Sequence, residues 1–272
     1  MVLTQLVSRR LTLRNGVELS YAEQGPADGT PVVLLHGYSD SWRSFAPLMA
    51  QLPASFHILA MTQRGHGDST KPDAYAMRDF AADVAAFCDR VGIERPIVVG
   101  HSMGSLVATR FAIDYPERLG RLVLIGAFKT LRGSPAAAAL WQGVSELTDP
   151  VSERFVHEFQ ASTVARPVSP AFLTTVIAES LKLPARVWKD VLRPMLDEDC
   201  SAELLRIRAP ACVIWGAKDG LTDLAEQKTL ASLIGGRLIV YPDAGHAPHW
   251  EDPAQVADEI AAFVREPAHT GP

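Results

Sequence analysis

One short stretch constrains this chain more than any other: Gly100-His101-Ser102-Met103-Gly104, a Gly-x-Ser-x-Gly run. It lies between the β-branched Pro96-Ile97-Val98-Val99 and a helical pattern from Met103 to Tyr115. Strand, tight turn and helix are the setting in which this motif forms a nucleophile elbow. The turn forces a strained backbone on its central residue, and the positions two residues either side must lack side chains. Gly100 and Gly104 meet that demand, and Ser102 is left at the carboxyl end of a strand. The competing reading is a glycine-punctuated βα turn with a chance serine; it weakens only if partners for the serine exist elsewhere.

Strand and helix signals alternate through most of the chain. Residues 6–13 and 17–24 read as a hairpin turning at Asn15-Gly16. Pro31 to Leu35, Phe56 to Met61, Arg121 to Ile125, Ala211 to Trp215 and Arg237 to Tyr241 are further strands, and the apolar runs suit burial on both faces. Helices are expected over Trp42 to Gln51, Met77 to Val91, Asp223 to Ile234, and after Asp252, with Val256, Ile260, Phe263 and Val264 turned inward. The pattern predicts an α/β fold: a mostly parallel eight-stranded sheet with helices on both faces. It breaks between Phe128 and Leu205, where helical periodicity is interrupted by six prolines and no strand pattern appears. That stretch is too long for a loop and reads as an inserted helical cap, residues 128–205, in a core made of 1–127 and 206–272.

Composition excludes several classes. A net charge of −5 and the lack of a basic stripe argue against a nucleic-acid partner. No apolar run approaches the roughly 18 residues of a membrane span, and the first residues do not look like a signal peptide, so a cytoplasmic protein with no membrane partner is expected. Cys88, Cys200 and Cys212 are odd in number and widely spaced, which suggests buried thiols in place of disulfides or metal ligands. The glycine-rich loops lack a phosphate-loop lysine, and no cofactor or metal is expected.

In open α/β sheets, sites form at the carboxyl ends of strands. The loops holding His36, Ser102, Asp219 and His246 all follow strands there. A serine hydroxyl needs a general base, and the base needs a carboxylate on its far nitrogen. His246 and Asp219 fill those roles. His249 competes with His246 but neighbours Trp250 and suits packing; Asp223 reads as a helix N-cap and Asp243 as a turn residue. His36, His101, His66 and Asp68 are read as structural, and His57, His157 and His269 as surface residues.

Five ordered motifs carry a resemblance: His36-Gly37, Arg64-Gly65-His66-Gly67-Asp68-Ser69, the elbow, Trp215-Gly216-Ala217-Lys218-Asp219, and Gly245-His246. On them the chain resembles the α/β-hydrolase superfamily over nearly its whole length, in the chain order Ser102, Asp219, His246. The resemblance implies that the backbone N–H groups of Tyr38 and Met103 form an oxyanion hole, the latter at a helix N-terminus where developing negative charge is favoured. Haloalkane dehalogenases and epoxide hydrolases are similar but carry an aspartate where Ser102 stands. Cofactor-free perhydrolases are similar at the elbow, usually with glycine where this chain has Ser105.

The implied activity is hydrolysis of a carboxylic ester or lactone through an acyl-enzyme on Ser102. C–C bond hydrolysis and perhydrolysis keep the same residues, as does a hydrolase-fold receptor with slow or single turnover. Phe128, Trp141, Phe155, Phe159, Leu181 and Trp188 are the candidate pocket aromatics and aliphatics, of which two or three should face the cavity. Phe128, Trp141, Phe159 and Trp188 lead that set. A small hydrophobic ester or lactone is the expected partner of a monomer or homodimer.

Overall fold

In the computed structural model, residues 6–267 are described. The hairpin forms as expected, with β1 Val7–Thr12 antiparallel to β2 Glu18–Gln24. Gly16 takes a φ of +84° in its turn, which a β-carbon would disfavour. The strands β3 Thr30–Leu35, β4 Phe56–Met61, β5 Ile97–His101, β6 Arg121–Ile125, β7 Ala211–Gly216 and β8 Arg237–Tyr241 complete an eight-stranded sheet in the order β1-β2-β4-β3-β5-β6-β7-β8. Strand β2 is antiparallel to β4, and from β4 to β8 every pairing is parallel. This is the mostly parallel eight-stranded α/β sheet that the alternation predicts.

The strand side chains alternate between two cores. Val33, Leu35, Val98, Leu122 and Leu124 pack with helices α2 Met77–Val91 and α3 Met103–Asp114. Val32, Leu34, Val99, Val123 and Ile125 point the other way, toward α1 Ala46–Met49 and α10 Pro253–Arg265. Both faces are buried, which is why the strands are uninterrupted apolar runs. Asp252 caps α10 by accepting the Gln255 N–H, and Val256, Ile260 and Phe263 are buried; Val264 is only partly so. The single helix expected over residues 42–51 is instead a 3₁₀ turn, Trp42–Phe45, followed by α1. Pro47 has no N–H for the Arg43 carbonyl, which accepts the Ala46 N–H in its place.

Between β6 and β7 the chain leaves the sheet for four helices, α4 Pro135–Ser145, α5 Glu153–Ala161, α6 Pro170–Ser180 and α7 Ala185–Asp197. Their apolar faces, including Val144, Val156, Ile177, Val187 and Val191, join the first core. A single bridge pairs Thr130 with Asp199 where the segment leaves and returns. Helix α8 Leu224–Leu233 follows β7, and the short α9 Pro248–Glu251 precedes α10.

All three cysteines are free and buried. No helix among the described residues is long and apolar enough to cross a membrane. His157 is exposed as expected, but His57 is not a surface residue. It is the second residue of β4, is 6% exposed, and its Nε2 lies 2.8 Å from Glu23 Oε1 on the neighbouring β2. His269 lies outside the described residues.

Candidate active site

The elbow is built by sterics. A β-carbon on Gly100 would lie 2.2 Å from the Gly104 carbonyl oxygen, and one on Gly104 would lie 2.0 Å from that of Leu35. No side chain fits, so strand, turn and helix close on each other. Ser102 pays for the turn with φ +53° and ψ −117°, a conformation rarely held by a residue with a side chain. Its backbone is fixed on both sides: its N–H donates to Ile125 O at 2.9 Å, and its carbonyl accepts from the Ser105 hydroxyl at 2.6 Å.

His246 sits in the loop after β8, with Nδ1 2.9 Å from Asp219 Oδ2. Asp219, three residues past β7, has a buried carboxylate; its Oδ1 accepts the Leu221 N–H at 2.8 Å and its Oδ2 the Thr222 hydroxyl at 2.9 Å. Thr222 in turn accepts the Trp215 indole N–H at 3.0 Å. Burial pushes the Asp219 carboxyl up, but the His246 imidazole and these hydrogen bonds outweigh it and hold the group below its usual range. An ionised Asp219 fixes the Nδ1–H tautomer of His246, which leaves Nε2 with a lone pair. That nitrogen is buried and has no protein partner among the described residues.

Ser102, His246 and Asp219 line one cavity of about 290 Å³. Its floor comes from the sheet loops, including Gly37, Tyr38, Asp40 and Trp250; its roof comes from Leu131 and the helical segment, including Leu140, Phe159, Gln160, Thr163 and Met195. Tyr38 follows β3, and Met103 is the first residue of α3. Among the described residues neither gives its backbone N–H to another protein group.

The other candidates sort by environment. His249 is fully buried with its ring centroid 5.1 Å from Phe45 and 4.4 Å from His101, and it does not line the cavity. Asp223 caps α8, accepting the Glu226 N–H at 2.8 Å, and Asp243 is exposed. His36 donates from Nδ1 to Gly37 O and accepts the Gln63 N–H at Nε2, which uses both ring nitrogens. His101 donates from Nε2 to the His246 carbonyl at 3.2 Å. His66 donates to Arg64 O, and Arg64 itself forms a buried two-bond pair with Asp83 of α2. Asp68 reaches Lys182 of the helical segment at 3.0 Å.

Of the leading pocket candidates only Phe159 is in the cavity wall. Trp188 lies one layer behind, fully buried, with its ring edge-on to Tyr38 and Phe159 and its carbonyl accepting the Tyr38 hydroxyl. Phe128 is buried just after β6. Trp141 is half-buried at the edge of the first core, with the Arg193 guanidinium 5.5 Å from its ring centre, and it does not line the cavity, whereas Leu140 of the same helix does. Phe155 and Leu181 are also absent from the wall.

Four polar wall residues were not singled out in the sequence, Asp40, Gln160, Ser162 and Thr163, and the first two are bonded to each other. Gln160 is 1% exposed and its amide N–H₂ reaches Asp40 Oδ1 at 2.9 Å, Ser180 Oγ at 2.8 Å and Ser39 Oγ at 3.3 Å. Its signal was available: Val156 and Gln160 are four apart on α5, so the glutamine shares the inward stripe of an amphipathic helix.

The sheet order, the elbow and the Asp219–His246 pair define the class of protein. The sequence profile of the alpha/beta hydrolase family matches residues 32–259, and the chain belongs to that family. It is 28% identical to an uncharacterized protein of Mycobacterium tuberculosis, over 91% of this chain and 78% of that one. It is 25% identical to the bifunctional esterase/perhydrolase DCH of Acinetobacter calcoaceticus, over 94% and 99%. The enol-lactonase of Burkholderia xenovorans LB400 superposes with a TM-score of 0.82 at 23% identity, over 95% and 100% of the two chains, which is a likeness of fold.

Proposed function

We propose that this α/β hydrolase cleaves carboxylic esters or lactones of small, uncharged, largely apolar compounds. One observation carries the reading: Asp219 holds His246 so that an unpartnered Nε2 is left in the same cavity as the strained Ser102. Nε2 takes the Ser102 proton as Oγ attacks the carbonyl carbon. The N–H groups of Tyr38 and Met103 receive the oxyanion, and the α3 N-terminus adds its dipole. The imidazolium returns the proton to the leaving alkoxide. Water then attacks the acyl-enzyme, giving its proton to Nε2, and Ser102 is restored as the acid departs.

The helical segment, residues 128–205, acts as the cap that shapes the substrate site. No Lys or Arg is among the residues lining the cavity, which disfavours a substrate carboxylate. The test is turnover of nitrophenyl esters of graded length and a panel of lactones, with phosphonate labelling of Ser102. Repeated rapid cycles with label on Ser102 alone are expected. A single slow turnover with a change in cap exposure would instead make the protein a ligand receptor.

A further inference from the structure

Asp40 is an ionisable wall residue that the proposed mechanism does not use. It lies on the loop after β3, two residues beyond Tyr38, and is 3% exposed. Its two carboxyl oxygens differ. Oδ1 accepts the Gln160 amide at 2.9 Å, and Gln160 is itself held by Ser180. Oδ2 takes no hydrogen bond from the described residues. It lies over Gly37, another wall residue, 3.1 Å from where a β-carbon there would sit.

A carboxyl oxygen that opens on a mostly apolar cavity and takes no protein donor is a ready acceptor for a donor group on a ligand. On the ester-hydrolase reading, we propose that Asp40 is a specificity-determining residue whose free oxygen binds a hydroxyl group of the substrate close to the scissile carbonyl, with Gln160 positioning it. Closeness follows from the loop: the Tyr38 N–H that would hold the carbonyl oxygen is two residues away.

A hydroxyl suits the site better than a cation. Burial raises the Asp40 carboxyl to about 7, against the lowering effects of Gln160 and His246, so both protonation states are populated near neutrality. A hydroxyl donates to the carboxylate and accepts from the acid. An ammonium would require the ionised form and would lose its own hydration in an apolar wall. The other titratable groups in the wall are His246 and Asp219, which hold each other, His101, which is bonded to the His246 carbonyl, and Tyr38, whose hydroxyl donates to the Trp188 carbonyl.

The experiment compares kcat/KM for methyl butanoate with those for methyl 2-hydroxybutanoate, methyl 3-hydroxybutanoate and 2-hydroxyethyl butanoate. At least one hydroxylated ester should exceed methyl butanoate by about tenfold, the worth of one buried hydrogen bond. Asp40→Leu should lower that ratio by at least about tenfold, whatever its absolute rates. Asp40→Asn keeps the shape and the Gln160 bond but can only donate from the free position. At pH 8.5 it should lower the ratio by about threefold, and it serves if the leucine variant does not fold. Wild-type ratios near one, or equal losses on all four esters in both variants, would overturn the subsite and leave Asp40 a brace for its loop. Phosphonate labelling separates the two readings. A labelled protein that turns over none of these esters overturns the subsite alone, whereas an unlabelled Ser102 overturns the hydrolase reading beneath it.

Discussion

Asp219 Oδ2 lies 2.9 Å from His246 Nδ1, between loops 27 residues apart in the chain. Replacing Asp219 with Asn keeps the size of the side chain and permits the wrong imidazole tautomer. Asp219→Asn is therefore expected to fold with an unchanged circular dichroism spectrum and to lose about 10⁴ in kcat on the best nitrophenyl ester. Asp223→Asn should lose little, since asparagine caps a helix as well as aspartate does. A crippled Asp223 variant beside an active Asp219 variant would reassign the acid.

Ser102→Ala should fold normally and lose turnover by about three orders of magnitude or more. It should also lose all phosphonate label, read by mass spectrometry of the intact chain. Retained label would place the nucleophile elsewhere.

The buried histidines give stability a defined pH dependence. Burial, with His246 nearby, lowers His249 to about 3, and burial lowers His66 to about 4 despite its bond to Arg64. The unfolded chain titrates these rings near ~6.5, so below that pH the unfolded state binds more protons and is favoured. Their stabilisation is full above ~6.5 and is lost as pH falls toward 4 and 3, at about 1.4 kcal/mol per pH unit for each ring. Urea midpoints should be level from pH 7.5 to about 6.5 and fall from there to pH 4.5, and His249→Phe should flatten that falling limb by about one proton. An unaltered slope would mean that His249 protonates without unfolding.

Gln160→Leu tests how the helical segment governs the loop after β3. Ser39 there holds a φ of +66°, and its hydroxyl meets both Gln160 and Ser180. Without the amide, Ser39 and Asp40 lose a buried donor, at a cost of about 1–3 kcal/mol. Because this loop carries the Tyr38 N–H, kcat should fall about tenfold or more while KM moves less. A rise in KM alone would limit Gln160 to shaping the cavity.

Trp188 and Trp141 should behave as their burial dictates. Trp188→Ala removes a fully buried ring and should cost about 3–5 kcal/mol by chemical denaturation. Trp141→Ala, which trims a half-buried ring outside the wall, should cost less stability than Trp188→Ala and leave ester-length preference close to wild type, whereas Leu140→Ala, which opens the wall, should shift preference toward longer acyl chains. Selectivity that follows Trp141 would contradict the placement of α4.

Continuous apolar runs such as Val32 to Leu35 and β-branched runs such as Ile97 to Val99 determined by themselves where the strands lie, because a strand buried on both faces needs apolar residues throughout. The elbow was equally legible, since a β-carbon at 100 or 104 would lie 2.2 or 2.0 Å from a carbonyl oxygen and only glycine fits. Ser102, Asp219 and His246 could be named because each lies in the loop at the carboxyl end of a strand, so the sheet order gathers them at one edge. The cavity wall was decided only by tertiary structure. Trp141, Phe128 and Trp188 are as apolar as Leu140 or Phe159, and a one-residue step around a helix turns a side chain about 100° from the cavity. Asp40 and Gln160 meet across 120 residues, and their hydrogen bond depends on how the inserted helices settle on the sheet loops. Composition and periodicity encode which face is buried, but not which buried group meets which.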